Sequence, residues 1–551
     1  MRQIPRPARP TLIAIALALS TAFICLFSHL GAFGLVGPDE PRYAWVARAM
    51  AATGDWVTPR LYGQPWFEKP VLYYWAAAIG FDLHLPVEWA ARLPSAFAAL
   101  AAAIAIGWLG WRHYGAAPDL AGSPALLAPL LFSSSVAAVG FARAATPDML
   151  FSASLTVAMA SAASALRRGG ALRGSSMQAY DSAPGDWLSL VMFGACLGLA
   201  VLAKGPAGVV LAGGAVGLWA LATNRWRAAI HLAHPIAVAA FCIVALPWYA
   251  LCALRNSEFI RVFIYQHNFD RYLTPVFQHK QPFWFFGPIV LLALLPWTVL
   301  LLPAVQEALR RWPEKSWHDS PAMFFSCWAV IPILFFSFSQ SKLPGYILPA
   351  IPPLALILGA VSARITSTDS SPLRWTAAAL GFTWFAMGLS AAHWMHRLPP
   401  GAKDHAGRAI FVCALFAIVD GVAIAALGIL RKRAAIVLSV LLVMLIVETA
   451  GARILPVLDP YLSARRHAAS LHDDRRPDRI FTFHLNRSWN FGLAFYLGRE
   501  VSEWSPADPE AALLLTTPQG LDELRRLGRF HGNLDEDYRG ILYVPVLPAP
   551  R

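Results

Sequence analysis

Charged residues are scarce in this chain of 551 residues: they form 14% of the sequence, against roughly 25% in an average soluble domain, and 57% of the residues are hydrophobic. An ordinary soluble globular protein is therefore excluded. Cysteine is also scarce: the six cysteines lie in or beside apolar stretches, and none forms a CxxC pair. The sequence therefore offers no disulfide framework and no zinc knuckle.

Apolar runs of about 20 residues are present instead, and this is the length of a transmembrane helix. The first run, Thr11 to Val36, follows a basic start and is longer than the apolar region of about 7–15 residues in a signal peptide, so we expect a retained first helix. Window hydropathy predicts about thirteen spans. Their predicted limits are 11–35, 87–111, 122–141, 148–166, 186–203, 205–222, 228–251, 283–303, 320–338, 344–361, 374–393, 409–429 and 434–454.

The positive charges predict the orientation of these spans. If the N-terminus is cytoplasmic, every loop that should face the cytoplasm holds at least one cation, as the positive-inside rule requires. The net charge of +13 then indicates contact with anionic lipids rather than with nucleic acid. An odd number of spans puts the C-terminus in the periplasm. The loop cations are Arg112; Arg167, Arg168 and Arg173; Arg225 and Arg227; Arg310, Arg311 and Lys315; Arg364 and Arg374; and Arg431, Lys432 and Arg433.

The predicted fold is an all-α polytopic membrane protein with a small C-terminal α/β domain. Residues 1–455 form the transmembrane domain, with two long outer loops at 37–86 and 252–282, and residues 456–551 form the periplasmic domain. The alternation of apolar and polar residues predicts strands and one helix in that domain. The strands are Ile480–His484, Ala511–Thr517 and Ile541–Val546, and the helix is Gly520–Leu527.

The first outer loop concentrates charge beside the membrane. Asp39 and Glu40 open a short predicted helix that ends at Gly54 and should lie on the membrane surface. One of the two carboxylates could simply cap this helix, but a cap needs only one. A second charged pair, Glu68 and Lys69, follows between Trp, Phe and Pro, where charges are costly unless they are paired or used. These carboxylates are therefore candidate site residues.

Other outer turns add single ionisable groups at the same membrane level. Asp148 could only cap a helix and Lys204 could only snorkel, but together with Arg271 and Lys342 they surround the acids of the first loop. Lys and Arg bind phosphate oxygens, and a carboxylate can act as a base or stabilise a sugar oxocarbenium ion. The pattern indicates a substrate that carries a phosphate, such as a lipid-linked sugar.

A set of motifs in fixed order resembles one known family. The set resembles the bacterial lipid A aminoarabinose transferases, which are GT-C glycosyltransferases related to the protein O-mannosyltransferases, and it extends over about residues 11–361. The motifs are Pro38-Asp39-Glu40-x-Arg42-Tyr43, Phe67-Glu68-Lys69-Pro70, Thr146-Pro147-Asp148, Lys204-Gly205, Leu246-Pro247-Trp248, Gln278-His279-Lys280-x-Pro282-Phe283-Trp284 and Lys342-Leu343-Pro344-x-Tyr346.

This resemblance implies an inner-membrane enzyme, expected to be a monomer, that moves 4-amino-4-deoxy-L-arabinose from undecaprenyl phosphate to a lipid A phosphate on the periplasmic face. The product would reduce the binding of polymyxin and other cationic peptides. No cofactor is expected, although Glu68 and His267 could form part of a divalent-metal site. By motif, Asp39 and Asp148 would be catalytic; Lys69, Arg271, Lys204 and Lys342 would bind the donor phosphate; and Glu40, Arg42, Tyr43, Glu68 and Tyr346 would shape the sugar pocket.

Other functions stay open at this point. The same chemistry could serve a protein hydroxyl or another glycan, and Pro41 and Trp45 depart from the expected motif and leave the exact sugar open. A lipid transporter would place its charges near the bilayer midplane, often with repeat symmetry, which this sequence does not show. A scaffolding protein is the remaining alternative.

Overall fold

The computed structural model describes residues 9–114, 122–168, 187–274, 280–367, 371–430, 434–473, 480–507, 512–530 and 541–546. Several predicted features lie outside these ranges, namely the loop cations Arg173, Arg431, Lys432 and Arg433 and the motif residues Gln278 and His279. The outer face is the face that carries loop 37–86 and the described part of loop 252–282.

The chain is mostly helical. The α-helices are α1 (Arg9–Ala22), α2 (Asp39–Thr53), α3 (Leu72–Asp82), α4 (Val87–Tyr114), α5 (Pro124–Ser133), α6 (Val136–Ala142), α7 (Asp148–Arg168), α8 (Trp187–Lys204), α9 (Ala207–Thr223), α10 (Trp226–His231), α11 (Pro235–Arg255), α12 (Arg271–Leu273), α13 (Phe286–Ala293), α14 (Leu301–Arg311), α15 (Lys315–His318), α16 (Pro321–Phe338), α17 (Ile351–Ser367), α18 (Ser371–Trp394), α19 (Pro400–Ile429), α20 (Ala434–Thr449), α21 (Leu455–Leu462), α22 (Arg465–Asp473), α23 (Arg487–Leu497) and α24 (Pro518–Arg526). The π-helices are Phe23–Phe27, Ile260–Asp270 and Ala450–Ile454, and the 3₁₀ helices are Phe283–Phe285, Trp297–Leu300, Pro344–Ala350 and Met395–Arg397.

Every predicted span coincides with a helix or a pair of helices. Among the described residues, eight helices are long and apolar enough to cross a membrane, or up to ten if each of two bent pairs is one span. The other three predicted spans are helix α18 and the shorter apolar helices Leu12–Phe27 and Ala207–Thr223. The spans predicted at 122–141 and 283–303 are bent pairs of helices, with angles of 62° and 110°. In the first pair, Ser135 is the N-cap of α6 and so marks the start of a new helix. In the second pair, Pro296 lies between the two helices and has no N–H to continue the helical hydrogen bonds.

Helix α7 is the most enclosed of these spans. Within its apolar window 89% of the helix is buried inside the protein, against 22% for α11. Small residues such as Ala158, Ala162 and Ala165 are fully buried, and they let α4 and α8 approach closely. Because α7 begins at Asp148, this central helix presents a carboxylate at the outer face.

The short helix predicted in the first loop is confirmed as α2, and Gly54 ends it in the left-handed conformation. Two details of the prediction are wrong. Neither Asp39 nor Glu40 caps the helix, because Pro38 is the N-cap residue and no side chain bonds there. The helix is also largely buried rather than lying on the surface, because α3 and α23 pack against it.

The second long outer segment was predicted as a loop, but its described part is mostly helical. The π-helix Ile260–Asp270 continues directly into α12. Phe259 and Phe263 anchor this segment, since both are buried and their rings stack 5.6 Å apart. Phe259 also meets Phe67 of the first loop edge to face at 5.3 Å. This aromatic contact holds Arg271 beside the first loop.

The C-terminal domain contains a sheet of three strands in the order β3, β4, β5, after the two-residue strands β1 (Arg60–Leu61) and β2 (Gln64–Pro65) of the first loop. Strand β3 (Ile480–Phe483) pairs parallel with β4 (Ala512–Thr516), which pairs antiparallel with β5 (Leu542–Val546). All three predicted strands are confirmed, and the predicted helix is α24. Helices α22 and α23 were not predicted, and the last apolar span runs on to Leu462.

Candidate active site

Glu68 is the centre of a charged cluster on the outer face. Its side chain is 11% exposed, and its Oε2 lies 2.9 Å from Arg42 Nη1. Its Oε1 lies 3.3 Å from Lys69 Nζ and 3.8 Å from Arg271 Nη1. Burial alone raises the pKa of Glu68, but the charges of Lys69, Arg42 and Arg271 outweigh burial and lower the pKa to about 2. Glu68 is therefore ionised at neutral pH and holds three cations together.

Arg42 connects Glu68 to Asp39. Asp39 and Arg42 are three residues apart in α2, so they share one face of the helix. While Nη1 of Arg42 faces Glu68, Nη2 donates to Asp39 Oδ1. Arg42 is only 5% exposed, whereas the side chain of Asp39 is 46% exposed. A buried guanidinium thus orients Asp39, and part of that carboxylate remains accessible from the outer face.

Asp148 and Lys204 form the second half of the cluster, where the start of α7 meets the end of α8. The two side chains form an ion pair. Tyr346 links this pair to the first half, because its hydroxyl accepts a hydrogen bond from Arg271 Nε at 2.9 Å and its ring centroid lies 4.8 Å from Lys204 Nζ. Contacts therefore run without a break from Asp39 to Asp148.

The cluster has one excess positive charge, since it contains four cations and three carboxylates. Burial lowers the pKa of Lys69, and the charges of Arg271 and Lys204 lower it further against the opposing effect of Glu68. Crowded cations in a partly buried place repel one another more strongly than in water. An entering anion relieves this repulsion. The cations are Arg42, Lys69, Lys204 and Arg271, and the carboxylates are Asp39, Glu68 and Asp148.

The structure brings together most of the predicted site residues, and Tyr43 joins them with its hydroxyl 3.5 Å from Glu68 Oε1. Glu40 differs, although it is the neighbour of Asp39. Its carboxylate is 7% exposed and pairs with the fully buried Arg92 at 2.7 Å. It also accepts the backbone N–H groups of Val36 and Ala145. These contacts hold three chain segments together, which is a structural role. A role of Glu40 in the sugar pocket stays a prediction.

Lys342 also stands apart from the cluster. Its Nζ donates to the backbone carbonyls of Ser339, at 2.6 Å, and of Gln281, at 3.0 Å. Within the described ranges Lys342 forms no ion pair. Its predicted contact with the donor phosphate therefore stays a prediction, and it requires these two hydrogen bonds to be exchanged.

The predicted partial metal site does not fit a divalent cation. Burial lowers the pKa of His267 to about 4, against the opposing charge of Glu68, so that the imidazole is neutral near pH 7. However, both oxygens of Glu68 already face cations. The described part of the chain contains no group of three or more His, Cys, Asp or Glu side chains placed to hold a metal ion.

Sequence reasoning missed two residues that shape this site. Arg92 lies inside an apolar span, and a cation there is a signal that could have been read, because membrane-embedded charges are rarely idle. Phe491 gave no such signal, because it lies 438 residues after the end of α2 in a helix that was not predicted. Its ring centroid lies 5.4 Å from Arg42 Cζ.

Known proteins are similar to this chain in sequence and in fold. Residues 11–263 match the family model described as dolichyl-phosphate-mannose-protein mannosyltransferase. The undecaprenyl phosphate-alpha-4-amino-4-deoxy-L-arabinose arabinosyl transferase of Edwardsiella ictaluri is 32% identical over 337 residues, which are 61% of this chain and 57% of that protein. The protein of the same name from Pseudomonas aeruginosa (strain UCBPP-PA14) is 31% identical over 342 residues, covering 62% and 58%. The chain thus matches somewhat more than half the length of these relatives.

The similarity in fold extends further than the similarity in sequence. The crystal structure of ArnT from Cupriavidus metallidurans bound to undecaprenyl phosphate superimposes with a TM-score of 0.72, at 23% identity, over 97% of both chains. This confirms the predicted membrane fold, including the small C-terminal sheet. Over about three fifths of its length the chain is therefore similar in sequence to the aminoarabinosyl transferases, and over nearly all of its length it has the fold of ArnT from Cupriavidus metallidurans.

Proposed function

We propose that this protein is a membrane glycosyltransferase that moves 4-amino-4-deoxy-L-arabinose from undecaprenyl phosphate to a phosphate of lipid A on the periplasmic face. The observation that carries this proposal is the unbroken set of contacts from Asp39 through Arg42, Glu68 and Arg271 to Asp148. Such a cluster, with an excess of positive charge and an accessible carboxylate, suits a reaction between two anionic lipid head groups. The names of the homologues supply the sugar and the carrier lipid.

In the proposed reaction an oxygen of the acceptor phosphate attacks the anomeric carbon of the sugar. The bond between that carbon and the donor phosphate oxygen breaks, and undecaprenyl phosphate leaves. Lys69, Arg271 and Lys204 stabilise the charge that develops on the departing phosphate. Arg271 can make a bidentate contact, whereas the two lysines act as point charges.

The acceptor phosphate is already an anion near neutral pH and needs little deprotonation. Asp39 therefore acts by orienting the amino sugar and by stabilising positive charge at the anomeric carbon, rather than as a strong base. Its exposure of 46% and its fixed position on Arg42 suit this role. Asp148 is placed to do the same from the opposite end of the cluster.

The proposal is tested in proteoliposomes that contain the purified protein, the lipid-linked aminoarabinose donor and lipid A, with the product detected by mass spectrometry. Wild-type protein should add one aminoarabinose to a lipid A phosphate. Asp39→Asn should lower kcat by about 100- to 1,000-fold, the usual cost of losing one charge-stabilising group. Asp270→Asn is the matched control, because it makes the same chemical change at an exposed residue of the second outer segment, and it should retain wild-type activity.

Two results would contradict this proposal. Wild-type protein that forms no modified lipid A would refute the acceptor, and an Asp39→Asn variant with wild-type kcat would refute the role of Asp39.

In cells that lack their own transferase, expression of the protein should raise resistance to polymyxin, because the added amine offsets negative charge on lipid A.

A second candidate function is transfer of a lipid-linked sugar to a protein hydroxyl, which is favoured by the match of residues 11–263 to the protein mannosyltransferase model. A hydroxyl must lose a proton as it attacks, so an essential base would be required. Activity on a peptide acceptor, with a rate that rises as one carboxylate ionises, would support this alternative over the lipid A reaction.

A further inference from the structure

Helix α23 of the C-terminal domain is docked onto α2 by specific polar contacts. Arg48 of α2 donates from Nη2 to the backbone carbonyl oxygen of Phe495 at 3.0 Å. The guanidinium carbon of Arg48 also lies 4.2 Å from the centroid of the Phe495 ring. The hydroxyl of Tyr496 accepts the N–H of Leu35, just before α2, at 2.8 Å. These directed contacts fix the position of α23 along α2.

The same helix is built into the core of the membrane domain. Phe495 is fully buried and belongs to the large apolar core that contains Tyr43 and Met50 of α2, and Phe491 packs against that core. The strands of the sheet pack into two further small cores, and Leu493 on the other side of α23 belongs to one of them. In packing terms α23 is thus part of the wall around the charged cluster, although it belongs to the C-terminal domain in sequence.

Aromatic rings surround the guanidinium of Arg42. Its Cζ lies 5.3 Å from the ring centroid of Tyr43, 5.4 Å from that of Trp66 and 5.4 Å from that of Phe491. The Nη atoms of Arg42 serve Asp39 and Glu68, but its buried Nε has no hydrogen-bond partner in the described part of the chain. The faces of the rings therefore supply the remaining stabilisation of this cation.

Phe491 itself is held in place from the other side. Its ring stacks on Tyr62 of the first loop, with centroids 6.5 Å apart and planes 17° from parallel. Tyr62 in turn meets Trp45 of α2 edge to face at 4.8 Å. The C-terminal ring is consequently fixed between two parts of the first loop, and it contacts the guanidinium that orients the accessible carboxylate.

We propose that Phe491 is a positioning residue of the transferase: its ring holds the Arg42 guanidinium in the orientation that presents Asp39 to the sugar, so that the C-terminal domain completes the active site. This inference rests on the proposed function, because it assigns Phe491 a part in that reaction. Tyr43 and Trp66 come from the membrane domain and would remain without the C-terminal domain, whereas this third ring would be lost.

The test compares substitutions of Phe491 in the proteoliposome assay with the full chain. Phe491→Leu keeps an apolar side chain but removes the ring, and it should lower kcat by about 3- to 30-fold, the range expected for one cation–π contact at a partly buried site. Phe491→Tyr and Phe491→Trp keep an aromatic face and should stay within about threefold of wild type. Phe530→Leu removes a ring from a separate core of the same domain and should leave kcat unchanged.

Rescue by the aromatic variants distinguishes positioning from general packing. If Phe491→Trp lost as much activity as Phe491→Leu, or if Phe491→Leu matched wild type, the inference would be wrong. If Phe530→Leu lowered kcat as much as Phe491→Leu, the effect would be one of domain stability, and the inference would again be wrong. Failure of the proposed function is a separate result, because then the wild-type protein itself would transfer no aminoarabinose to lipid A.

Discussion

At the scale of single residues, charge pairing separates neighbours that the sequence presents together. Asp39 and Glu40 are adjacent, but neighbouring residues of a helix point about 100° apart. Asp39 therefore faces Arg42 and the site, whereas Glu40 faces Arg92 of α4. The two carboxylates have different partners and different exposure, and this difference decides their roles.

The pKa values of Glu68 and His267 predict how this site responds to pH. Glu68 has a pKa of about 2, and its stabilising effect is fully present above its ordinary value of 4.5 and is lost as the pH falls through about 2. His267 has a pKa of about 4 in place of 6.5, so it is neutral at pH 7, and protonation of the unfolded chain lowers stability from about pH 6.5 down to 4. Neither group should titrate in the activity profile between about pH 7 and 8.

These effects are checked by measuring the melting temperature of the detergent-solubilised protein from about pH 4 to 8. The destabilisation caused by Glu68→Gln should be constant from about pH 5 to 8 and should shrink below about pH 4.5. His267→Gln should flatten the loss of stability between about pH 6.5 and 4. A Glu68→Gln effect that disappeared already at pH 6 would show that Glu68 is not held ionised by its three cations.

The members of the charged cluster could be predicted from the sequence, but their pairing could not. Asp39, Glu68, Asp148 and Lys204 each lie in a motif or at the end of a predicted helix, and Arg271 lies in the second predicted outer loop. Which cation meets which acid depends on side-chain directions across segments far apart in the sequence. Hydropathy and spacing carry no information on those directions.

At the scale of elements, sharp turns between helices place the cations of the site. Lys204 ends α8, and Gly205 follows with φ of +86°, a conformation that glycine adopts without strain. A Cβ atom at Gly205 would lie 3.0 Å from Asn268 Oδ1 and 3.1 Å from Phe263 Cζ. The turn therefore fits tightly under the π-helix of the second outer segment.

Gly205→Ala should accordingly disturb the site from outside it. We expect a loss of about 1–3 kcal/mol in stability from the strained backbone and a several-fold rise in the donor KM, because Lys204 moves relative to Asp148. Gly217→Ala is the control, since Gly217 lies within helix α9 and a Cβ there meets nothing within 4 Å. Melting curves and donor titrations of the two variants check this, and equal behaviour of the two would contradict it.

Element existence was predictable here, but element shape was not. Hydropathy detects the length of an apolar run, and every predicted span has a helical counterpart. It is insensitive to a bend, because the residues on both sides of Pro296 remain apolar. It also passes over helix α23, whose burial comes from other parts of the protein rather than from the membrane.

At the scale of the whole molecule, segments far apart in the sequence meet at the outer face. The orientation of that face can be measured with cysteine labelling, because the native cysteines are buried or only partly exposed in the structure. We expect Glu258→Cys and Leu527→Cys to react with a membrane-impermeant thiol reagent added to intact spheroplasts. Arg310→Cys should react only after the membrane is permeabilised, since its loop is predicted to be cytoplasmic.

All three positions are exposed, with Leu527 44% exposed and the side chains of Glu258 and Arg310 60% and 76% exposed, so differences in labelling report the side of the membrane. Labelling of residues 258 and 527 from opposite sides would contradict a common outer face. The contact of α23 with α2 could not be predicted from the sequence, because no local pattern reports which surface a separate domain will meet.

The single guanidinium of Arg42 also has a consequence for how this protein can evolve. Because its two terminal nitrogens are divided between Asp39 and Glu68, a lysine, with one compact ammonium group, cannot serve both acids with the same geometry. Loss of Arg42 takes a partner from both acids, and loss of either acid leaves one terminal nitrogen of Arg42 unpaired, so selection acts on the three residues jointly. Viable lineages should keep the trio or replace it together.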